Sequence, residues 1–181
     1  MIYSYNELVA EHKTDYQIKK AIKHGALYKI ENGIYSDKPS VSPLEIIVKK
    51  YPAAIFTMDS AFYFHGLTDV IPRKMHLAMV RSSSRRIADS NIVAIYVIEK
   101  YIAIGKTQIV FDGVCINIYD KERMLIELAR NKKKLAFDYY KEIINSYREI
   151  VDHLDVRAIE DYAKVFDTEE YIFKTIQEEV F

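Results

Sequence analysis

Five lysines, Lys13, Lys19, Lys20, Lys23 and Lys29, stand in a stretch of the chain that holds a single acid, Asp15. Ammonium groups at that density do not make or break bonds. They neutralise phosphates and release the counterions condensed on a nucleic-acid backbone. Thr14, Tyr16 and Gln17 lie among them. A threonine or tyrosine hydroxyl can hold a phosphate oxygen, and a glutamine amide can bond adenine in the major groove. Asp15 is an awkward neighbour for phosphate but a favourable one for a helix N-terminus. The competing reading of the same residues is a small helical hairpin whose lysines serve solubility.

Residue sets for bond-making chemistry are missing. The five histidines, His12, His24, His65, His76 and His153, show neither H-x-x-x-H nor H-E-x-x-H spacing. There is no G-x-S-x-G, no Walker-type glycine loop and no G-x-G-x-x-G. A nucleotidyltransferase would need a Gly-Ser loop followed by paired D-x-D carboxylates on a metal, and no such pair occurs. Asp167-Thr168-Glu169 has carboxylate spacing but opens a helix in an acidic region, so capping is the expected role. His65 precedes Gly66 and reads as packed or capping. Cys115 is the single cysteine; it excludes an intramolecular disulfide, and alternation within a strand leads us to expect a buried, inert thiol. We therefore expect no enzyme activity, no metal and no other cofactor. The opening MIYSYNELVAEH carries acids, unlike a signal peptide, and no apolar run nears the roughly 18 residues of a membrane span. A cytoplasmic protein without a membrane partner is expected.

The elements that would position the lysines are clearly signalled. Ser4 and Glu7 form an S-x-x-E capping box that starts a helix near Tyr5 ending at about Glu11, with Tyr5, Leu8 and Val9 facing inward. Thr14 and Gln17 form a second box opening a helix over Asp15–His24, and Gly25 stands where a left-handed C-terminal cap belongs. Ile18, Ala21 and Ile22 make its apolar stripe, which leaves Lys19, Lys20 and Lys23 on the flanks or the far face. Leu27–Ile30 and Ile34-Tyr35 are β-prone runs about Asn32-Gly33, a strong hairpin signal. Helix, tight turn, helix and hairpin in that order predict a winged helix-turn-helix over residues 1–38, with Lys13, Thr14, Tyr16, Gln17, Lys19, Lys20, Lys23, Lys29 and Asn32 on its DNA-facing side. Ser42-Pro43-Leu44-Glu45 starts a further helix through about Lys50, which either completes that unit or opens the next.

From residue 39 to 181 a mixed α/β domain is expected. Strands are predicted at 54–57, 75–80, 92–97, 106–111 and 114–119, the last two about Asp112-Gly113. Helices are predicted at 59–65, from Asp120 to about Arg130, and at 135–151, 155–166 and 168–180. The aromatics Phe137, Tyr140, Tyr162, Phe166, Tyr171 and Phe173 fall at helical spacing and read as core. The segment Val70–Ala88 carries Arg73, Lys74, Arg81, Arg85 and Arg86 without an acid. It reads either as a surface for nucleic acid or an acidic partner, or as a solvated loop. Formal charge sums to zero, yet residues 1–137 hold 21 Lys+Arg against 14 Asp+Glu while residues 138–181 hold 5 against 12. A basic body and an acidic helical tail cancel, the tail being either solvated helix faces or an interaction surface.

Three runs together resemble the AbiEi-type antitoxins. Lys23-His24-Gly25-Ala26-Leu27-Tyr28-Lys29-Ile30-Glu31-Asn32-Gly33-Ile34-Tyr35 is similar to that family's wing. Asp59 to Asp69, followed by Ile71-Pro72, resembles its S-A-x-x-x-x-G-L-T-D-x-x-P segment through Ser60, Gly66, Leu67 and Thr68. Asp120 to Leu128 is similar to its E-R-T-L-x-[DE]-L helix through Glu122 and Arg123, with Met124 where threonine is usual. The resemblance implies an α+β chain: an N-terminal winged helix-turn-helix and a nucleotidyltransferase-like but inactive domain with C-terminal helices. It also implies a type IV toxin–antitoxin system of abortive phage infection. There the antitoxin represses its own promoter, and neutralises a nucleotidyltransferase-type toxin without a stable complex. An orphan winged-helix transcriptional regulator, with no toxin gene beside it, is the alternative. Arg123 is expected either to act functionally or to form a buried ion pair fixing its helix against the sheet.

Overall fold

Local signals decide where the first elements begin. In the computed structural model, which describes residues 1–11, 13–83 and 86–181, Ser4 caps α1 (Tyr5–Ala10) and Thr14 caps α2 (Asp15–Lys23), each with a complete capping box. Ser42 does the same for α3 (Pro43–Lys50), with proline in its first turn. The chain divides into two units, Met1–Ala53 and Ala54–Phe181. Both mix helices with a β-sheet, so the architecture is α+β.

In the first unit, β1 (Ile2–Ser4) and β2 (Tyr28–Glu31) flank β3 (Ile34–Ser36) as a three-stranded antiparallel sheet. The turn between β2 and β3 places Gly33 at φ 81°, a conformation that costs an L-residue with a Cβ. Leu8, Ile18, Leu27 and Tyr35 form the core, with Tyr3, Ala21 and Ile22 packed against it. Helix α3 packs on β1 and β3, and Lys49 pairs with Glu7 at 2.6 Å and Lys50 with Glu31 at 3.0 Å. One inward-facing expectation fails: α1 buries Leu8 alone, while Val9 is 44% and Tyr5 38% exposed. A helix of six residues has too little length to turn three side chains onto one small core, and the Tyr5 hydroxyl instead donates to Asp15 Oδ1 at 2.6 Å.

In the second unit the sheet order is β6-β5-β4-β8-β7, where β4 is Ile55–Phe56, β5 Met75–Val80, β6 Ile92–Val97, β7 Lys106–Phe111 and β8 Val114–Tyr119. The pairs β5–β6 and β4–β8 are parallel, and β4–β5 and β7–β8 antiparallel. Helix α4 (Met58–Phe64) packs on β5, and α5 (Glu99–Ile102) follows β6. Helix α6 (Lys121–Asn131) contacts α4, α8 (Val156–Ala163) and α9 (Glu169–Glu179). Helix α7 (Phe137–Glu149) precedes these two and donates from the Tyr147 hydroxyl to the Lys121 carbonyl at 2.8 Å. Met124, Leu125, Ile126, Leu128 and Ala129 of α6 are buried, as are Leu77 and Ala78 of β5 and Ile116 and Ile118 of β8. Each large apolar side chain among them contributes about 1.5–3 kcal/mol of burial free energy when fully covered.

Two further expectations are corrected here. Cys115 is exposed: along β8 the buried residues Ile116 and Ile118 share one face, and Cys115 belongs to the other. Of the aromatics expected in the core, Phe137 at the very start of α7 is 71% exposed and Tyr171 in the first turn of α9 is 41% exposed, whereas Tyr140 and Phe166 are buried. A first-turn residue extends past the neighbouring elements even when its angular position is right. Among the described residues no helix is long and apolar enough to cross a membrane.

Candidate nucleic-acid interface

Seven of the nine residues expected to face DNA lie on α2 or in the approach to it, and Lys29 and Asn32 lie on the β2–β3 hairpin. Ile18 anchors α2 with 3% exposure. That anchor turns Tyr16, Lys19, Lys20 and Lys23 outward; all four are exposed, Tyr16 to 73%. Lys20 and Lys23 occupy the last turn, where the helix dipole favours cations. His24 caps α2, and Gly25 at φ 69° ends it, with Gly25 N donating to Ile22 O and Ala26 N to Ala21 O. Lys29 and Asn32 are exposed as well.

The residues at the helix start are less free than the lysines. Gln17 N donates to Thr14 Oγ1 at 3.3 Å, and Gln17 Oε1 accepts from Thr14 N at 2.8 Å. A two-handed contact from Gln17 to adenine would require that box to open. Asp15 accepts from Tyr5, and hydrogen bonding to this carboxylate raises the Tyr5 hydroxyl above its ordinary pKa. The Lys13 ammonium sits 2.8 Å from Glu11 and 5.6 Å from the centre of the Tyr3 ring. Lys19, Lys20, Lys23 and Lys29 have no carboxylate partner among the described residues.

The arginine-rich segment of the second unit does not form one patch. Arg73 and Lys74 precede β5, and Arg81 follows it. The six-residue strand between them spans roughly 20 Å at about 3.3 Å per residue. Arg86 lies over the Tyr96 ring at 4.4 Å, and the backbone N–H of Arg81 donates to Val97 O, so these two belong to the far end. Arg85 lies outside the described residues.

The six residues that carry the family resemblance in this unit hold the scaffold. The Ser60 hydroxyl accepts from His76 N at 2.8 Å, joining α4 to β5. Gly66, at φ 68°, ends α4, and Leu67 behind it is buried. The Thr68 hydroxyl donates to Glu142 on α7 at 2.6 Å and accepts from Val70 N. Glu122 accepts from Asp155 N at 3.0 Å, tying α6 to the start of α8. Arg123 is 1% exposed and bonds Glu127 through Nη2 at 2.6 Å and Nε at 3.2 Å. Its Nη1 donates to the Tyr101 carbonyl, and its guanidinium lies over the rings of Tyr119 and Phe166. This is the expected buried ion pair, but both partners lie on α6, so the pair itself does not fix the helix against the sheet; the guanidinium reaches β8 through the Tyr119 ring instead. Burial lifts the Tyr119 phenol to about 12.

Sequence reading missed what Arg123 requires of its surroundings. Gly105 takes φ 68°, and a Cβ there would lie 2.4 Å from Arg123 Cβ. Tyr101, on the four-residue helix α5, supplies the carbonyl and stacks on Phe166 at 4.7 Å. A glycine before a strand was the one available signal, and nothing local linked it to Arg123. His65 meets its expectation: it caps α4, with Nε2 2.7 Å from the Tyr119 carbonyl. The capping expected of Asp167-Thr168-Glu169 fails, because Thr168 precedes α9 without a side-chain hydrogen bond and Asp167 lies 3.8 Å from Lys100.

No protein-family model matches the chain, and no curated protein sequence matches it.

Proposed function

We propose that this chain is a DNA-binding antitoxin and transcriptional autorepressor of a type IV toxin–antitoxin operon, acting on its own promoter through the first unit read as a winged helix-turn-helix. The observation that carries the reading is the split of α2 into a buried Ile18 face and an open face of Tyr16, Lys19, Lys20 and Lys23. The β2–β3 hairpin adds Lys29 and Asn32 in the same unit. A major groove admits one helix, and lysines flanking it neutralise phosphates on either side. The nucleotidyltransferase-like reading of the second unit and the neutralisation of a nucleotidyltransferase-type toxin rest on the resemblance of residues 59–72 and 120–128.

Replacing Lys19, Lys20 and Lys23 together by alanine tests the DNA reading. Binding to the upstream promoter should fall at least tenfold. The slope of log affinity against log salt should drop by up to about 0.9 for each phosphate that is no longer neutralised. The melting temperature should stay unchanged, because all three side chains are exposed. Unchanged gel shifts overturn the assignment of α2. Co-expression with a nucleotidyltransferase gene adjacent to this one, scored by growth, tests the antitoxin half.

A further inference from the structure

The second unit contains a cavity of about 880 Å³ near the C-terminal ends of β5 and β6, reached from α6 and from the start of α9. That volume is in the range of small-molecule sites. Its wall carries Arg81, Arg130, Lys133 and Lys134, with tyrosines Tyr96 and Tyr171 beside them. Glu127 is the one acid among the described residues of the wall, and it is already shared by Arg123 and by Arg130 at 3.0 Å. One carboxylate against two guanidinium groups leaves a net positive charge before the other three cations are counted. Arg81, Lys133 and Lys134 have no carboxylate partner among the described residues; Lys134 donates to the Asn131 amide oxygen at 3.3 Å.

Two further features mark the cavity as more than a surface hollow. Met58 lines it at φ 45°, in the left-handed region that is uncommon and costly for a residue with a Cβ. Arg123, itself part of the wall, is held by Glu127, the Tyr101 carbonyl and two rings, and Glu127 in turn fixes Arg130. The Arg123 and Arg130 end of the wall is therefore pre-set, whereas Arg81, Lys133 and Lys134 are exposed side chains that a ligand would have to order. Tyr171 is 41% exposed, an open aromatic face beside the cations.

We propose that this cavity binds a nucleoside di- or triphosphate, its phosphates on Arg130, Lys133, Lys134 and Arg81 and its ring against Tyr171. Clustered cations whose single acid is already paired select a compact polyanion, and a planar ring gains from stacking on tyrosine. The site lies wholly in the second unit, so it stands whether or not α2 binds DNA.

Isothermal titration of the full chain with ATP, GTP, inorganic triphosphate and adenosine tests this. ATP or GTP should bind with micromolar affinity, weakening as salt rises, and a Lys133→Glu, Lys134→Glu double variant should lose at least tenfold. Both lysines are exposed, so that variant should melt like the parent, and a Tyr171→Ala variant should lose affinity for nucleotide but not for triphosphate. No heat with either nucleotide at millimolar concentration overturns the site. Equal binding by parent and double variant does the same. Triphosphate binding as tightly as the nucleotides overturns the ring half. A double variant that loses promoter binding while keeping nucleotide binding assigns these lysines to nucleic acid instead.

Discussion

Helices α2 and α6 are built to one local recipe and put their cations to opposite uses. Both start at a side-chain cap, Thr14 or Asp120, and both carry basic residues among apolar ones. Helix α2 buries only Ile18, so its lysines point to solvent. Helix α6 buries six residues, and one of them is Arg123. The difference is in the packing: α2 has one small core to face, whereas α6 has α4, α8 and α9 around it. A guanidinium enclosed that way must be paired and hydrogen-bonded, because desolvating it alone is prohibitive. An exposed ammonium meets no such penalty and keeps its charge available. A basic residue in a family-like motif is thus no evidence of a binding surface until its burial is known.

The largest effect should come from the Arg123 side of that contrast. Glu127→Ala removes both charge-assisted bonds from a buried guanidinium, and breaking such a pair typically costs about 3–5 kcal/mol. Urea unfolding should show the loss, with Glu127→Gln milder because its amide oxygen still accepts. A cost below about 1 kcal/mol, the range of exposed pairs, would mean that Arg123 is as free as the lysines of α2 and would erase the comparison.

Glycines sharpen the same point at smaller amplitude. Gly33 and Gly105 share a positive φ, but a Cβ at Gly33 meets nothing within 4 Å while one at Gly105 strikes Arg123. Gly33→Ala should cost about 1–2 kcal/mol from backbone strain alone. Gly105→Ala adds the clash, for on the order of 3–4 kcal/mol in all. Equal losses in denaturant melts would show that Arg123 moves aside freely and that its setting is not rigid.

What was legible in the sequence follows from range. Ser4 with Glu7, Thr14 with Gln17 and Ser42 with Glu45 announce helices because each box closes over three residues, and all three boxes form. The strands at 75–80, 92–97, 106–111 and 114–119 keep their expected bounds, helped by the Asp112-Gly113 turn with both residues at positive φ. Missed were β1, whose three residues are strand only because Ile2–Ser4 pair with Ile34–Ser36, and α5, too short for a periodic signal. The order β6-β5-β4-β8-β7, the Gly105–Arg123 contact and the cavity wall all join residues far apart in sequence. Of the candidate interface, the open lysines were readable from the position of Ile18. The division of the arginine segment by β5 was not, since burial of Leu77 and Ala78 depends on their sheet neighbours.

The smallest expected effect concerns pH, and it too belongs to the second unit. His65 is held below its ordinary pKa mainly by burial, against the pull of the Tyr119 carbonyl and Glu122 and with Lys121 adding to the depression. His76 is lowered by burial against the attraction of Asp59, whose carboxylate lies 3.7 Å from Nε2. Protonating His76 would also place an N–H at Nδ1, a buried atom without a hydrogen-bond partner. Both folded values lie below the unfolded one, so their contribution is fully present above about pH 6.5 and is lost as pH falls through the folded values. Asp120 runs the other way: burial raises its carboxyl, so its contribution is present in acid and lost as pH rises through its folded value. Comparing the parent with a His65→Gln, His76→Gln variant cancels Asp120 and isolates the histidines. Between pH 7.5 and 5 the parent's urea midpoint should fall more than the variant's, and the amide that replaces the His65 ring can still donate to the Tyr119 carbonyl. Parallel falls would place the acid sensitivity elsewhere, and would leave the buried groups of the second unit no more responsive to protons than the open face of α2.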